Sequence, residues 1–218
     1  MTETVSIAAD GAAAARAALD HCILGDGVAL FPADGLYGLG CDPTSAVAIE
    51  RVHRIKGRDD RKPSAVMYFS PLAMRELVAA LGPRTRDALG ALLPGAVTLV
   101  VANPQRRYPL ACREDPDRLG VRLIEGPLAG AACAIFQTSA NRSGEPAPFR
   151  FATVAPEILA AVDLAIDGGE LTGLPSTVVD LTAIEAGGGE GGEPVILREG
   201  AIGAAEVSDL LAALSSQP

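Results

Sequence analysis

The sequence predicts an α/β fold, as a sandwich or an open sheet, on three observations. Short apolar runs of strand length alternate along the chain with amphipathic stripes of helix length. Hydrophobic residues fill 49% of its 218 positions and the mean hydropathy is +0.27, enough for a substantial core. No internal repeat and no biased linker divides the chain, so a single domain over residues 1–218 is expected.

Ala12 to Leu24 reads as the first helix, closed by the Gly25-Asp26-Gly27 turn. Val28 to Phe31 then forms a short buried strand ended by Pro32. Asp34 to Asp42 reads as a loop, with Gly35, Gly38 and Gly40 in the spacing G-x-x-G-x-G, which is not the dinucleotide fingerprint. Ser45 to Lys56 gives the clearest helix: Ala48, Ile49, Val52 and Ile55 make one apolar stripe, Thr44 or Ser45 can cap it, Glu50 faces Arg54, and Gly57 ends it. A second strand is expected over Ala65 to Phe69, helices over Leu72 to Leu81 and Arg84 to Leu93, and a third strand over Val97 to Ala102. Further strands are expected at Gly120 to Ile124, Ala134 to Gln137, Leu164 to Ile166, Thr177 to Leu181 and Val195 to Arg198. Helices at Pro127 to Cys133, Ala155 to Val162 and Ala204 to Leu214 separate or close them. Gly187 to Gly192 lacks the G-K-[ST] ending of a phosphate loop and reads as a flexible insertion between two strands.

The formal net charge of −9 argues against a dedicated nucleic-acid surface, which carries a basic excess to neutralise phosphates. Aromatic residues are few, at 4%, so base-stacking platforms are not expected either. Positive charge is local instead: Arg51, Arg54, Lys56, Arg58, Arg61 and Lys62 fall within twelve residues. Such a cluster is either a solvated helix face or a phosphate-binding feature, and its place at a helix exit favours the second. Cys22, Cys41, Cys112 and Cys133 are widely spaced without metal-ligand spacing, as expected of reduced core thiols in a cytoplasmic protein. The N-terminus lacks a continuous apolar core, and Ala88 to Ala102 is too short and too broken by Gly90, Pro94 and Gly95 to span a bilayer.

His21 and His53 sit in helix patterns, and His53, among Arg51, Arg54 and Lys56, is expected on the surface rather than as a general base. Without a Cys/His or Ser/His pairing, nucleophilic hydrolysis and histidine-based zinc sites are disfavoured. What remains is chemistry by positioning and charge neutralisation, as in phosphoryl or nucleotidyl transfer. Lys56, Arg58 and Lys62 suit a triphosphate. Arg122 lies inside a strand pattern, where an arginine is either solvated or bound to an anion, a carboxylate held bidentately being the natural partner. Arg198, at the end of a strand, has the same two readings. Ser139 and Ser176 suit hydrogen bonding rather than nucleophilic attack.

These segments together resemble the YrdC-like family of L-threonylcarbamoyladenylate synthases over nearly the whole chain. The family's K-x-R…S-x-N signature is matched by Lys56, Arg58, Ser139 and Asn141. Phe31-Pro32 with Leu36 to Gly40 is similar to its P-T-[DE]-T-x-Y-G-L opening, and Leu93 to Leu99 to its W-P-G-P-x-T-L segment. Asp167-Gly168-Gly169, Ser176 to Asp180 and Leu197 to Gly200 complete the order. The resemblance implies a twisted open sheet flanked by helices, with a large concave cleft. It implies a core over about residues 5–203, a C-terminal helix and tail over 204–218, and no additional C-terminal domain. It implies that threonine, bicarbonate and ATP, with Mg²⁺, give threonylcarbamoyl-AMP and pyrophosphate for N6-threonylcarbamoylation of tRNA adenosine by downstream transferase machinery. Lys56, Arg58, Lys62, Ser139, Asn141 and Arg198 would hold ATP, with Lys56 and Arg58 central to catalysis; Arg122, Thr138 and Ser176 would hold threonine.

Two departures stand out. Ala33 and Gly35 occupy positions where the family has threonines, removing potential hydrogen bonds worth roughly 0.5–1.5 kcal/mol each. Ile124 stands where the family usually has proline after the strand arginine. A paralogue acting on another small acid, or a non-catalytic RNA-binding module, are the alternatives; direct tRNA binding is expected to be weak.

Overall fold

In the computed structural model, which describes residues 2–57, 63–185 and 192–215, the apolar runs pair into one ten-stranded mixed sheet. The chain begins with β1 (Glu3–Ser6), α1 (Ile7–Asp10), α2 (Ala12–Leu24), β2 (Ala29–Ala33), β3 (Leu36–Cys41) and α3 (Ala46–Lys56). Then come β4 (Ala65–Tyr68), α4 (Pro71–Ala79), α5 (Pro83–Leu92), β5 (Val97–Ala102), α6 (Pro109–Cys112), β6 (Arg118–Leu123) and β7 (Ala134–Ser139). After a 3₁₀ turn at Phe151–Thr153 follow α7 (Pro156–Ala161), β8 (Leu164–Asp167), β9 (Thr177–Asp180), β10 (Val195–Arg198) and α8 (Ala204–Ser215). The sheet order is β1-β8-β2-β3-β7-β4-β6-β5-β9-β10.

Local signals explain the elements the sequence predicts. Ser45 caps α3 by accepting a hydrogen bond from the Ala48 amide at 3.3 Å, and Gly57 ends it with φ of 64°. Ala48, Ile49 and Val52 are buried as the stripe requires. Ser70 caps α4 in the same way, with Pro71 at its first position. Alternation divides side chains between the two sheet faces. Leu30 and Leu39, paired across β2 and β3, join the cluster that includes residues of α3, α4, α5, α7 and α8. Ala29, Phe31 and Ala33 point the other way, into a second cluster with Ala15, Leu19 and Ile23 of α2.

Four expectations are corrected. The segment read as a loop over Asp34 to Asp42 is mostly β3, antiparallel to β2 through a tight turn at Asp34-Gly35. Its glycines mark close packing rather than irregular backbone: a Cβ on Gly40 would lie 2.1 Å from Ile135 Cγ2 and 2.9 Å from the Phe31 ring. Pro32 does not end β2 but pairs with Tyr37, beyond the stretch where β8 pairs with Ala29 and Leu30. Pro127 to Cys133 is a series of turns, because the amides of Ala132 and Cys133 donate to the Asp20 carboxylate of α2 at 2.9 Å instead of to helical carbonyls. His53 is half-buried rather than on the surface, its ring edge-on to Phe136 at a centroid distance of 5.8 Å and in contact with Arg113. Gly187 to Gly191 of the expected insertion lies outside the described residues.

Tyr37 locks the β2–β3 hairpin to the segment after β8. Its hydroxyl donates to the Gly169 carbonyl at 2.9 Å and accepts from the Gly168 amide at 3.0 Å, and burial pushes its pKa up to about 12. Replacing Tyr37 by Phe leaves both backbone groups without that partner. We expect Tyr37→Phe to lower unfolding free energy by about 1–3 kcal/mol in urea titration, with an unchanged m-value.

Candidate active site

The half of the second sheet face not packed against α2 is concave and encloses a cavity of about 470 Å³, within the range of small-molecule sites. Strand register builds its floor. Gln137 pairs with Ala65, Val100 pairs with both Gly120 and Asp180, and the next row brings together Met67 with Arg122 and Thr98 with Val178. Arg118, Gly120 and Arg122 therefore share one face of β6 by the two-residue repeat, two cations separated by a residue without a side chain.

Arg122 is 5% exposed, yet it lines the cavity. One terminal nitrogen is paired with the Asp34 carboxylate at the hairpin turn, and the other donates to Gln137 Oε1 at 3.2 Å. Its Nε has no hydrogen-bond partner among the described residues. Burial lifts the Asp34 carboxyl above its usual range and lowers the Arg122 guanidinium, and each is opposed by the attraction of the other. The expected carboxylate partner of Arg122 thus exists, but it comes from the protein itself.

A second group forms around Ser176, which is 9% exposed. Its hydroxyl lies 2.8 Å from the Thr98 hydroxyl, and Arg198 donates to its carbonyl at 2.8 Å and its hydroxyl at 3.2 Å. Arg198, itself exposed, is thereby held against Ser176 where it lines the cavity. Ser139 carries a third group. Its hydroxyl donates to Asn141 Oδ1 at 2.5 Å, and the buried Lys56 ammonium donates to the Ser139 carbonyl at 2.5 Å and the Asn141 carbonyl at 2.9 Å.

Arg122, Thr138, Ser139, Ser176 and Arg198 all line the cavity, although they come from β6, β7, the entry to β9, and β10. Lys56 and Asn141 do not line it; they are joined to it through Ser139 and fasten the end of α3 to the segment after β7. Arg58 and Lys62 lie outside the described residues. Arg118 was missed by sequence reasoning, although its spacing of four from Arg122 within one strand pattern was a usable signal. Its guanidinium pairs with Asp180 and, at 3.6 Å, with Asp115. Asp34 was missed as well, because its partner lies 88 residues away.

Gly35 explains one departure from the family pattern. The segment after Glu170 crosses directly over the hairpin turn, and the Gly173 amide donates to the Gly35 carbonyl at 2.9 Å. A Cβ at position 35 would lie 2.0 Å from the Leu174 carbonyl oxygen and 2.6 Å from Thr172 Oγ1. A threonine there would have to push this strap away.

The sheet, its helices and this cleft define an α/β protein whose open sheet face carries a small cavity lined by guanidinium groups and hydroxyls. Residues 21–200 match the Sua5/YciO/YrdC family model, whose description is telomere recombination. The chain belongs to the Sua5/YciO/YrdC family. It is 37% identical over 134 residues to a threonylcarbamoyl-AMP synthase of Methylobacillus flagellatus, covering 58% of this chain and 73% of that one. To the threonylcarbamoyl-AMP synthase of Thiobacillus denitrificans it is 35% identical over 161 residues, covering 71% and 85%. P. abyssi Sua5, in a crystal structure with L-threonine, superposes with a TM-score of 0.80 at 25% identity over 96% of this chain. This chain spans only 60% of that Sua5 chain. E. coli YciO shares the fold, with a TM-score of 0.78 at 23% identity over 95% of this chain and 99% of its own.

Breaking the Asp34–Arg122 pair should be costly, since it strands a buried charge. We expect Asp34→Ala to destabilise the chain by about 3–5 kcal/mol, and Asp34→Ala with Arg122→Met to cost less than the sum of the single changes. A double-mutant cycle in urea measures both; strict additivity would show that the two groups do not interact.

Proposed function

We propose that this chain is a threonylcarbamoyl-AMP synthase, a nucleotidyltransferase that joins threonine, bicarbonate and ATP. The observation that carries this reading is the convergence of Arg122, Thr138, Ser139, Ser176 and Arg198 on one cavity, from positions the sequence marks as ligand-binding. The relatives named for the same activity support it. Arg122, Thr138 and Ser176 take the amino acid; Ser139 and Arg198 take the nucleotide, and Arg118 adds a cation to the same floor. Arg58 and Lys62 belong to the same nucleotide role, while Lys56 and Asn141 act by holding Ser139 in place.

The neutral amine of threonine and bicarbonate form a carbamate and release water. A carbamate oxygen then attacks the α-phosphorus of ATP, the bond to the bridging oxygen breaks, and pyrophosphate leaves. The carbamate is already anionic, so the attack itself requires no side-chain base. Holding the two reactants at contact distance can supply several kcal/mol of the lowered barrier. Fixed guanidinium groups offset charge that builds on the phosphates, and their protein carboxylate partners keep them oriented before the ligand arrives.

No group of three or more His, Cys, Asp or Glu side chains among the described residues could cage a metal ion. Among the described residues, Asp115 is the carboxylate that lines the cavity, and it already faces Arg118. Among the described residues, this donor set fits Mg²⁺ that is held mainly by the triphosphate and water, with Asp115 as the available protein carboxylate. When bound, Mg²⁺ neutralises phosphate charge. The product would serve N6-threonylcarbamoylation of tRNA adenosine. No helix among the described residues is long and apolar enough to cross a membrane.

Incubation with labelled bicarbonate, Mg²⁺-ATP and threonine should yield a labelled adenylate and an equal amount of pyrophosphate; the absence of any threonine-dependent product would refute the assignment. Arg198→Ala should raise the KM for ATP at least tenfold while thermal stability changes little, because Arg198 is exposed at an edge strand. An unchanged KM would remove Arg198 from the nucleotide site.

A further inference from the structure

A side-chain amide at the cavity floor has its orientation fixed by the chain itself. Gln137 stands on β7, half-buried, and its side chain lines the cavity between Arg122 and the β2–β3 hairpin. Arg122 Nη1 donates to its Oε1 at 3.2 Å. A guanidinium has donors and no acceptor, so only the amide oxygen can face it, and the Nε2 hydrogens point the other way. On that side the floor is bare: a Cβ on Gly38 would lie 3.0 Å from Gln137 Nε2 and 3.3 Å from the Ala33 Cβ. No described residue accepts from this nitrogen, and Ala33 presents only a methyl group there. The cation on its oxygen polarises the amide, which strengthens its N–H groups as donors. Arg122 is already neutralised by Asp34, so a further anion at this floor needs donors besides the guanidinium. A hydrogen bond to an ionised acceptor is about twice as strong as one between neutral groups.

We propose that Gln137 is a substrate-contacting residue, its amide N–H donating to the carboxylate of the bound amino acid while its oxygen steadies Arg122. The proposal rests on the synthase reading above and adds a residue to the amino-acid end of the same site. The carboxylate takes no part in the bonds that form or break; its capture orients the amino acid so that the amine reaches bicarbonate. The two halves of the amide do separate work, and two substitutions distinguish them. Gln137→Glu keeps an acceptor for Arg122 and loses the donor, whereas Gln137→Met loses both.

The test measures steady-state rates of the full chain at pH 8 with Mg²⁺-ATP, labelled bicarbonate and threonine. Valine, which keeps the carboxylate and lacks the hydroxyl, serves as a competing ligand. Both variants should raise the KM for threonine at least tenfold and the inhibition constant of valine by the same factor, while the KM for ATP stays within twofold. A smaller rise in Gln137→Glu would overturn the contact, because an acceptor for Arg122 would then suffice and Gln137 would act by positioning alone. A valine constant that does not rise with the threonine KM would overturn the assignment to the carboxylate, since the amide would then read the hydroxyl. A rise in the KM of both substrates together with a lowered melting temperature would trace the effect to fold damage and overturn it too. Each of these failures leaves the synthase reading standing; no threonine-dependent product from the wild-type chain would sink both.

Discussion

A buried ion pair, Asp34 with Arg122, ties the β2–β3 turn to β6 across the open face of the sheet. Asp34 stands on the turn between β2 and β3, whereas Arg122 stands on β6, with β7 and β4 between. Gln137 of β7 grips the same guanidinium, so three separate parts of the sheet converge on one group. Taking two charges out of water is expensive, and such a pair contributes little net stability compared with apolar packing. What it supplies is position: a cation at the cavity floor that cannot swing away, with its neighbouring hydroxyls at fixed distances.

The cavity exists because helices cover the second face of the sheet incompletely. α2 packs on Ala29 and Phe31, while Gly120, Val100 and Thr98 face open space. Polar side chains on that open face are then arranged in pairs that satisfy one another, Thr98 with Ser176 and Arg118 with Asp180. Buried polar groups left unpaired would be costly, so mutual hydrogen bonding keeps an empty polar cleft stable while it waits for ligand. Lys56 follows the same logic outside the cavity, where its ammonium ties four oxygens of Ser139 and Asn141 into one corner.

Much of the architecture was legible from periodicity. The stripe on α3 was found because its burial follows the helical period, and β4 and β5 were found because strands buried on both faces read as continuous apolar runs. The misjudged segments share a different cause. β3 was taken for a loop because its glycines lower local strand preference, yet Phe31 and Ile135 need their missing side chains. The turns at Pro127 to Cys133 replaced an expected helix because a carboxylate on α2 captured its amides. In both cases a distant side chain outweighed local propensity, which no window of neighbouring residues records.

The order of motifs along the chain determined by itself which chemical groups would meet: guanidinium, hydroxyl and amide side chains placed at strand ends bring the same groups to one cleft in any α/β sheet of this connectivity. Only the tertiary structure decided which partner each of those groups meets. It set Lys56 against the Ser139 and Asn141 carbonyls, gave Arg122 an internal carboxylate, and pressed a leucine-bearing strap onto Gly35. The physical reason is range. Residue type and spacing encode short-range preference, whereas the direction of a charged side chain is set by whichever partner folding brings within about 3 Å of it, and that partner can lie anywhere in the chain.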